Sequence, residues 1–299
     1  MPVHDDLGKR MKEFYEQVPK TRLVRRMPVA IRIDGKAFHS FTKGFERPFD
    51  DILIKAMQET TKYLCENIQG CVLGYTQSDE ITLILVDYKN LESSAWFDYE
   101  VQKMCSISAS MATMAFNRFF ANNCREWYDS IPYEEFENGS EKLDRLYKAY
   151  TKAFEKGAMF DSRCFNIPKE EVTNLIYWRQ LDATRNSIQM VGQANFSHNE
   201  LHGKSCNMIQ DMLHEQKGIN WNDFPIHKKR GSCVIKSTTT CTYATHDANG
   251  NVVTGTHERP HWVIDTEIPI FKGDGRDYID KLIRVGCDCQ CHKNVAYIN

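Results

Sequence analysis

The chain has 299 residues, 41% hydrophobic and 26% charged, and its 38 Lys and Arg against 40 Asp and Glu leave a formal charge of -2. This is the composition of a globular protein able to bury a sizeable core, and it excludes disordered and fibrous classes; a nucleic-acid partner would need a local basic footprint, because net charge would not attract it. No run of 18 apolar residues occurs, the opening MPVHDDLGKR has no apolar signal-peptide centre, and eleven scattered cysteines suit reduced thiols, so a cytoplasmic protein without a membrane span is expected.

In chain order, a basic segment comes first: Lys9, Arg10, Lys12, Lys20, Arg22, Arg25 and Arg26, either a solvated face or a phosphate-contacting one. In PVAIRIDGKAFHSF, Val29, Ile31 and Ile33 alternate with Ala30, Arg32 and Asp34, the period of a strand with one packed and one polar face, ending on an acid against Gly35. Leu53, Ala56, Met57, Thr60 and Leu64 then define an amphipathic helix, capped by Asp50 or Asp51 and closed at Gly70. CVLGYTQSDEITLILV splits into two short strands joined by Gln77-Ser78-Asp79-Glu80, a hairpin with an acidic turn. A second helix carries Val101, Met104, Cys105, Ser108, Met111, Ala115 and Phe119 on one stripe; a charged helical insertion, EKLDRLYKAYTKAF, precedes a strand in AMFDSRCFNIP that Pro168 stops. Strand, helix, strand, strand, helix, strand is the ferredoxin-like α+β order, an antiparallel sheet with helices on one face.

That topology brings Asp34 and Asp79 together on the open face. Two carboxylates there fit Mg²⁺, which takes one or two acids plus waters and substrate phosphates, and a pair of such ions serves phosphoryl or nucleotidyl transfer. Gly35 would let a triphosphate approach the backbone, and Ser78 and Glu80 flank the second acid.

RIDGKAFHSF, FERPFDD and GYTQSDEITLIL resemble the nucleotidyl-transfer motifs of the tRNA-His guanylyltransferase family, 3′-to-5′ polymerases acting on tRNA 5′ ends. The resemblance is clear over residues 29–118 and continues through FDSRCFNIP, YWRQLDATRNS and KKRGS to about residue 235. It implies a polymerase-palm core over residues 1–170, a tRNA-gripping helical and strand extension over 171–299, and a homotetramer built as a dimer of dimers. It assigns two Mg²⁺ to Asp34, Asp79 and the Gly35 backbone, with Glu80 beside them as a third catalytic acid. A nucleoside triphosphate, ATP or GTP, would lie against Gly35, Lys36, Ala37, Phe38, His39 and Ser78. Lys103 matches a triphosphate-binding lysine of the family, and Arg47 stands where the family often has lysine.

The eukaryotic enzymes carry His-Ile-Asn-Asn in the helix after WRQ, whereas this chain reads Thr184-Arg185-Asn186-Ser187. Losing the His and one Asn points away from selection of tRNA-His by its anticodon and toward templated repair of truncated tRNA 5′ ends. On that helix Tyr177, Leu181, Thr184, Ile188 and Val191 form the packed stripe, leaving Trp178, Asp182, Arg185 and Gln189 on another face. Arg185 and Asn186, with Lys229 and Arg230 of a second basic cluster, are the RNA-binding candidates. The competing readings are a nucleotide cyclase or 5′-to-3′ polymerase on a related palm, or an RNA-binding module without chemistry. HNELH lacks the metalloprotease order, so His198 and His202 read as turn and core residues. Cys287, Cys289, Cys291 and His292 lack the usual zinc spacing and a second ligand pair, and HDANGN reads as a hairpin turn.

Overall fold

The computed structural model describes residues 6–132, 140–246 and 252–286. The Cys287–His292 segment and the turn residues 247–251 therefore lie outside the described residues. In chain order the elements up to residue 166 are helix α1 (Asp6–Met11), β1 (Val29–Gly35), α2 (Phe38–Phe41), α3 (Asp51–Asn67), β2 (Cys71–Gln77), β3 (Glu80–Leu85), α4 (Val101–Asp129), α5 (Glu141–Lys156) and β4 (Phe160–Asn166). Beyond them come α6 (Lys169–Asn195), α7 (His198–Leu201), α8 (Cys206–Lys217), α9 (Ile226–Arg230), β5 (Ser232–His246), β6 (Val252–Asp265) and α10 (Asp277–Asp280). No helix among the described residues is long and apolar enough to cross a membrane.

The six strands of the described residues form one antiparallel sheet in the order β4-β1-β3-β2-β5-β6. The expected strand and helix order from residue 29 to 168 is present. The sheet does not stop at residue 170, however: β5 continues it by pairing with β2 through Val234, Cys233 and Ser232.

One correction concerns the faces. Val29, Ile31 and Ile33 pack with α3 and α4 in the larger core, but the opposite face is covered too. There Ala30, Leu73, Tyr75, Ile84 and Val86 meet Val172 and Ile176 of α6, together with Phe271 and Ile279. Helices thus lie on both sides of the sheet.

The expected α4 stripe is present, with Met104, Ser108 and Ala115 buried, but it is wider than expected, and the α6 stripe is rotated. On α4 the deepest residues include Ala112, Phe116 and Phe120, because α5 adds Leu146, Tyr150 and Ala153 on that side and makes the supposed insertion part of the core. On α6 Leu181 is exposed, whereas Arg179, Gln180 and Ser187 are buried. Each of these polar groups has an internal partner: Arg179 donates to Glu80, Gln180 donates to the Pro269 carbonyl and accepts from the Phe271 amide, and the Ser187 hydroxyl bonds the Thr184 and Lys229 carbonyls. Burial of polar groups is tolerated when such bonds replace water.

Candidate active site

The site is built at the C-terminal tip of β1 and the β2–β3 turn. Gln77 pairs with Glu80 across the hairpin, leaving Ser78 and Asp79 as the two-residue loop. Ser78 sits at φ 50°, a conformation that hairpins usually give to glycine. Serine at this position supplies a hydroxyl that donates to Asp79 Oδ1 at 3.0 Å. The Asp79 carbonyl in turn accepts from the Gly35 amide at 3.1 Å, which locks the hairpin tip to the end of β1.

Asp34 lies opposite Glu80 on β3 and opposite Asp161 on β4, so three acids form a row across three strands. Two residues back along the strands, Arg32 faces Arg163. The arginines neutralise the outer acids: Asp161 pairs with Arg163 at 2.9 Å, and Glu80 pairs with buried Arg179 of α6 and with Arg32 at 3.5 Å. Among the described residues, no lysine or arginine ion-pairs with Asp34 or Asp79. Burial pushes the Asp34 carboxyl up, as do Glu80 and Asp161, against Arg163 and Arg32, which draw it down. Asp79 is likewise raised, mainly by burial, with Asp34 and Glu80 adding to it and the Ser78 hydrogen bond opposing it.

Two under-neutralised, hard oxygen acids at one place suit a divalent cation of the Mg²⁺ kind, which would draw its remaining ligands from carbonyls, water and phosphate. No three His, Cys, Asp or Glu side chains among the described residues form a metal cage by themselves. Glu80 is held by its two arginines, which makes it a support behind Asp34.

A cavity of about 620 Å³ opens beside this tip, lined among others by Gly35, Ala37, Phe38, His39, Arg47, Ser78 and Asp79. Ala37 is at φ 54°, turning the chain out of β1 into α2 and wrapping residues 35–39 around one end. The freedom at Gly35 has a more specific cause than substrate approach: a Cβ there would lie 2.2 Å from the Phe38 ring. Phe38 in turn packs against Phe41, Phe116 and Phe160, so the cradle rests on an aromatic cluster. Asp50 supports the far wall: it caps α3 by accepting from Leu53 N at 2.9 Å, takes the Glu46 amide at 3.0 Å and the Tyr150 hydroxyl at 2.7 Å.

The cavity wall also includes Thr42, Lys43, Met190 and Gln193, which the sequence reasoning missed. Lys43 lies in the turn just after α2, between the two motifs RIDGKAFHSF and FERPFDD; Met190 and Gln193 arrive from α6, distant in sequence.

Other expected contacts fall elsewhere. Lys36 is exposed and is not part of the cavity lining, although its amide bonds the Met159 carbonyl. Lys103 lies on α4, on the sheet face opposite Asp34. Cys105 meets Cys164, which pairs with Ile31 three residues before Asp34, so Lys103 sits more than about 10 Å along the sheet from the acid. Its ammonium is exposed near the Phe97 ring. Within one chain it does not reach the cavity, because the α4 N-terminus abuts the opposite end of β1. Lys229 is buried, donating to the Asn222 carbonyl over the Trp221 ring, which withdraws its charge from any RNA; burial also draws its ammonium pKa down. Arg230 lends its carbonyl to Tyr75 at 2.6 Å. Arg185 is exposed and paired with Asp182, and Asn186 borders a small cavity between α6 and α9. In the N-terminal basic segment, Arg22 and Arg25 pair with Asp98, and the Arg26 amide bonds the Asp87 carboxylate. His198 and His202 are exposed, so neither is a core residue, although His202 does lie in the turn after α7.

Asp79 at the hairpin tip lines a cavity of ligand size, while Asp34 stands beside it at the end of β1 and is not part of that lining; a palm-like antiparallel sheet with carboxylates so placed is the arrangement of a nucleotidyltransferase. Residues 8–168 match the family model described as Thg1, tRNAHis guanylyltransferase. A solved bacterial tRNA(His) guanylyltransferase (Thg1)-like protein in complex with ATP is 38% identical, with TM-score 0.72 over 93% of this chain and 99% of that one. A structure of the same description with GTP is 36% identical, with TM-score 0.68 over 94% and 100%. The tRNA(His) guanylyltransferase of Saccharomyces cerevisiae is 26% identical over 70% of this chain and 82% of its own length. The chain belongs to the tRNA-His guanylyltransferase family of 3′-to-5′ nucleotidyltransferases.

Proposed function

We propose that this enzyme adds nucleotides to the 5′ end of tRNA and selects its substrate by the acceptor end and template strand, repairing truncated 5′ ends across several tRNAs. The observation that carries this reading is the state of the altered helix motif. Thr184 spends its hydroxyl on the Gln180 carbonyl at 2.9 Å, and Ser187 is buried beneath the Trp221 indole, which donates to it at 3.1 Å. Two of the four positions where eukaryotic relatives present His-Ile-Asn-Asn are thus occupied with internal bonding, leaving Arg185 and Asn186 for RNA.

In this reading ATP or GTP lies along residues 35–39, with Ser78, Lys43 and Arg47 beside its phosphates. Asp34, Asp79 and the Gly35 carbonyl would hold Mg²⁺, which when bound supplies charge stabilisation for the displaced pyrophosphate. Ser78 orients the Asp79 carboxylate, Glu80 with Arg179 and Arg32 fixes the strand beneath Asp34, and the Phe38 cluster keeps the backbone cradle rigid. The extension from residue 171 grips RNA, and the enzyme works as a homotetramer in the cytoplasm, where its eight described cysteines, all free, stay reduced.

The test is kcat/KM for full-length and 5′-truncated versions of tRNA-His and two unrelated tRNAs. Extension of all truncated species with the base that pairs opposite is expected. A preference of a hundredfold for full-length tRNA-His, about 2.7 kcal/mol, would defeat the repair reading.

A further inference from the structure

Next to the nucleotide cavity lies a second one of about 490 Å³. The two share Arg47 and Gln193 as a common wall. The second is lined by His198, His202 and Lys204 in addition, over an apolar floor that includes Phe196 and Ile209. Its polar character differs from that of its neighbour: Asp50, Asp79 and Glu46 border the first, whereas among the described residues no carboxylate lines the second.

The local sequence explains this one-sided chemistry. Glu200 is the one acid in His198–Leu201, and it is turned back to close a capping box with Ser197, accepting from the Ser197 amide at 2.7 Å and hydroxyl at 2.6 Å. Its charge is spent at the helix start. The two imidazoles, four residues apart, therefore stand together on the groove side with ring centroids 6.2 Å apart. Lys204 follows after the turn at Gly203, and no described carboxylate ion-pairs with Arg47, His198, His202 or Lys204.

We propose that this groove holds successive phosphodiesters of the RNA strand next to its reacting end, threading the substrate past Arg47 into the nucleotide cavity. The inference rests on the tRNA reading above. A nucleoside triphosphate travels with Mg²⁺, and a groove without carboxylates offers that ion no ligand. Singly charged phosphodiesters, spaced along a strand, match separate cationic side chains, while the apolar floor suits ribose and base faces. The HNELH motif thereby acquires a use that is neither metal binding nor core packing.

The experiment uses the full chain, with Lys204→Ala, His202→Ala and the double variant, all at exposed positions. Binding of a fluorescein-labelled tRNA lacking its first nucleotide is measured by anisotropy between 50 and 200 mM salt, and ATP binding is measured separately by calorimetry. Because Lys204 carries the one full charge that the double variant removes at neutral pH, the log-log salt slope should become shallower by about 0.7 to 0.9, and affinity should fall roughly five- to eightfold near 0.1 M salt. ATP affinity should stay unchanged, and Lys204→Arg should keep the wild-type slope. An unchanged slope in the double variant overturns the groove assignment. Loss of ATP affinity with intact RNA binding overturns it too, in favour of a second triphosphate site. A wild-type chain that binds no tRNA overturns both this inference and the function it rests on, which separates the two failures.

Discussion

Replacing Asp50 with alanine tests whether the nucleotide cavity is held open by a buried carboxylate. Three donors converge on this side chain: the Leu53 amide at the start of α3, the Glu46 amide in the cavity loop, and the Tyr150 hydroxyl from α5. Loss of an N-cap costs about 1 kcal/mol, and each buried donor left without an acceptor costs about 1 to 3 kcal/mol. Part of this is offset, because burial holds the Asp50 carboxyl above its ordinary range and so penalises the ion. The net expectation for Asp50→Ala is a loss of about 2 to 4 kcal/mol. Asp50→Asn keeps an acceptor for Leu53 and should lose about half as much. Tyr150→Phe should cost about 1 kcal/mol and couple non-additively to Asp50→Ala. Since the folded-state pKa is raised, the folded state takes up the proton first: the wild type gains on Asp50→Ala as pH falls through that raised value and loses the advantage as pH rises. Urea denaturation at several pH values measures all of this. A cost below about 0.5 kcal/mol for alanine, the range of ordinary surface substitutions, would refute the reasoning.

Three further outcomes are expected. Asp34→Ala and Asp79→Ala should each abolish nucleotide addition in a radiolabel assay while leaving the melting temperature unchanged or higher, since each removes like-charge repulsion; near wild-type turnover in either would remove the metal assignment. Gly35→Ala should destabilise by about 1 to 3 kcal/mol and weaken ATP binding, because its methyl would strike the Phe38 ring; thermal melts and calorimetry measure the two effects, and an unperturbed variant would show that the ring moves freely. Lys103→Ala should leave ATP affinity unchanged in calorimetry, and a loss of affinity would mean that a neighbouring copy in the assembly brings this lysine to the cavity.

How far the site was legible depends on where its information lies. The placement of Asp34 at the end of β1 and of Asp79 in the β2–β3 turn was readable because β1 and the hairpin obey a two-residue period and the acids fall where the period stops. The α6 packing face was not readable: Arg179, Gln180 and Ser187 are buried through specific bonds to Glu80, Pro269, Phe271 and Lys229, and hydrophobicity carries no trace of a polar group satisfied at long range. Lys229 misled for the same reason, since a run of basic residues reads as exposed until one of them is seen under a tryptophan. Lys103 matched a family position in sequence, yet the end of the sheet at which a helix starts is set by chain direction.

The continuity of the sheet across residue 170 bears on how the chain matures on the ribosome. The segment matching the family model ends at residue 168, but Ala30, Leu73, Tyr75, Ile84 and Val86 have no cover until α6 and the segment around Phe271 and Ile279 have been made. A nascent chain released at 168 would hold Asp34 and Asp79 and still present a bare apolar sheet face, a surface for aggregation or chaperone capture. Synthesis of the chain beyond residue 168 is therefore part of folding what precedes it, and the two halves mature as one cooperative body.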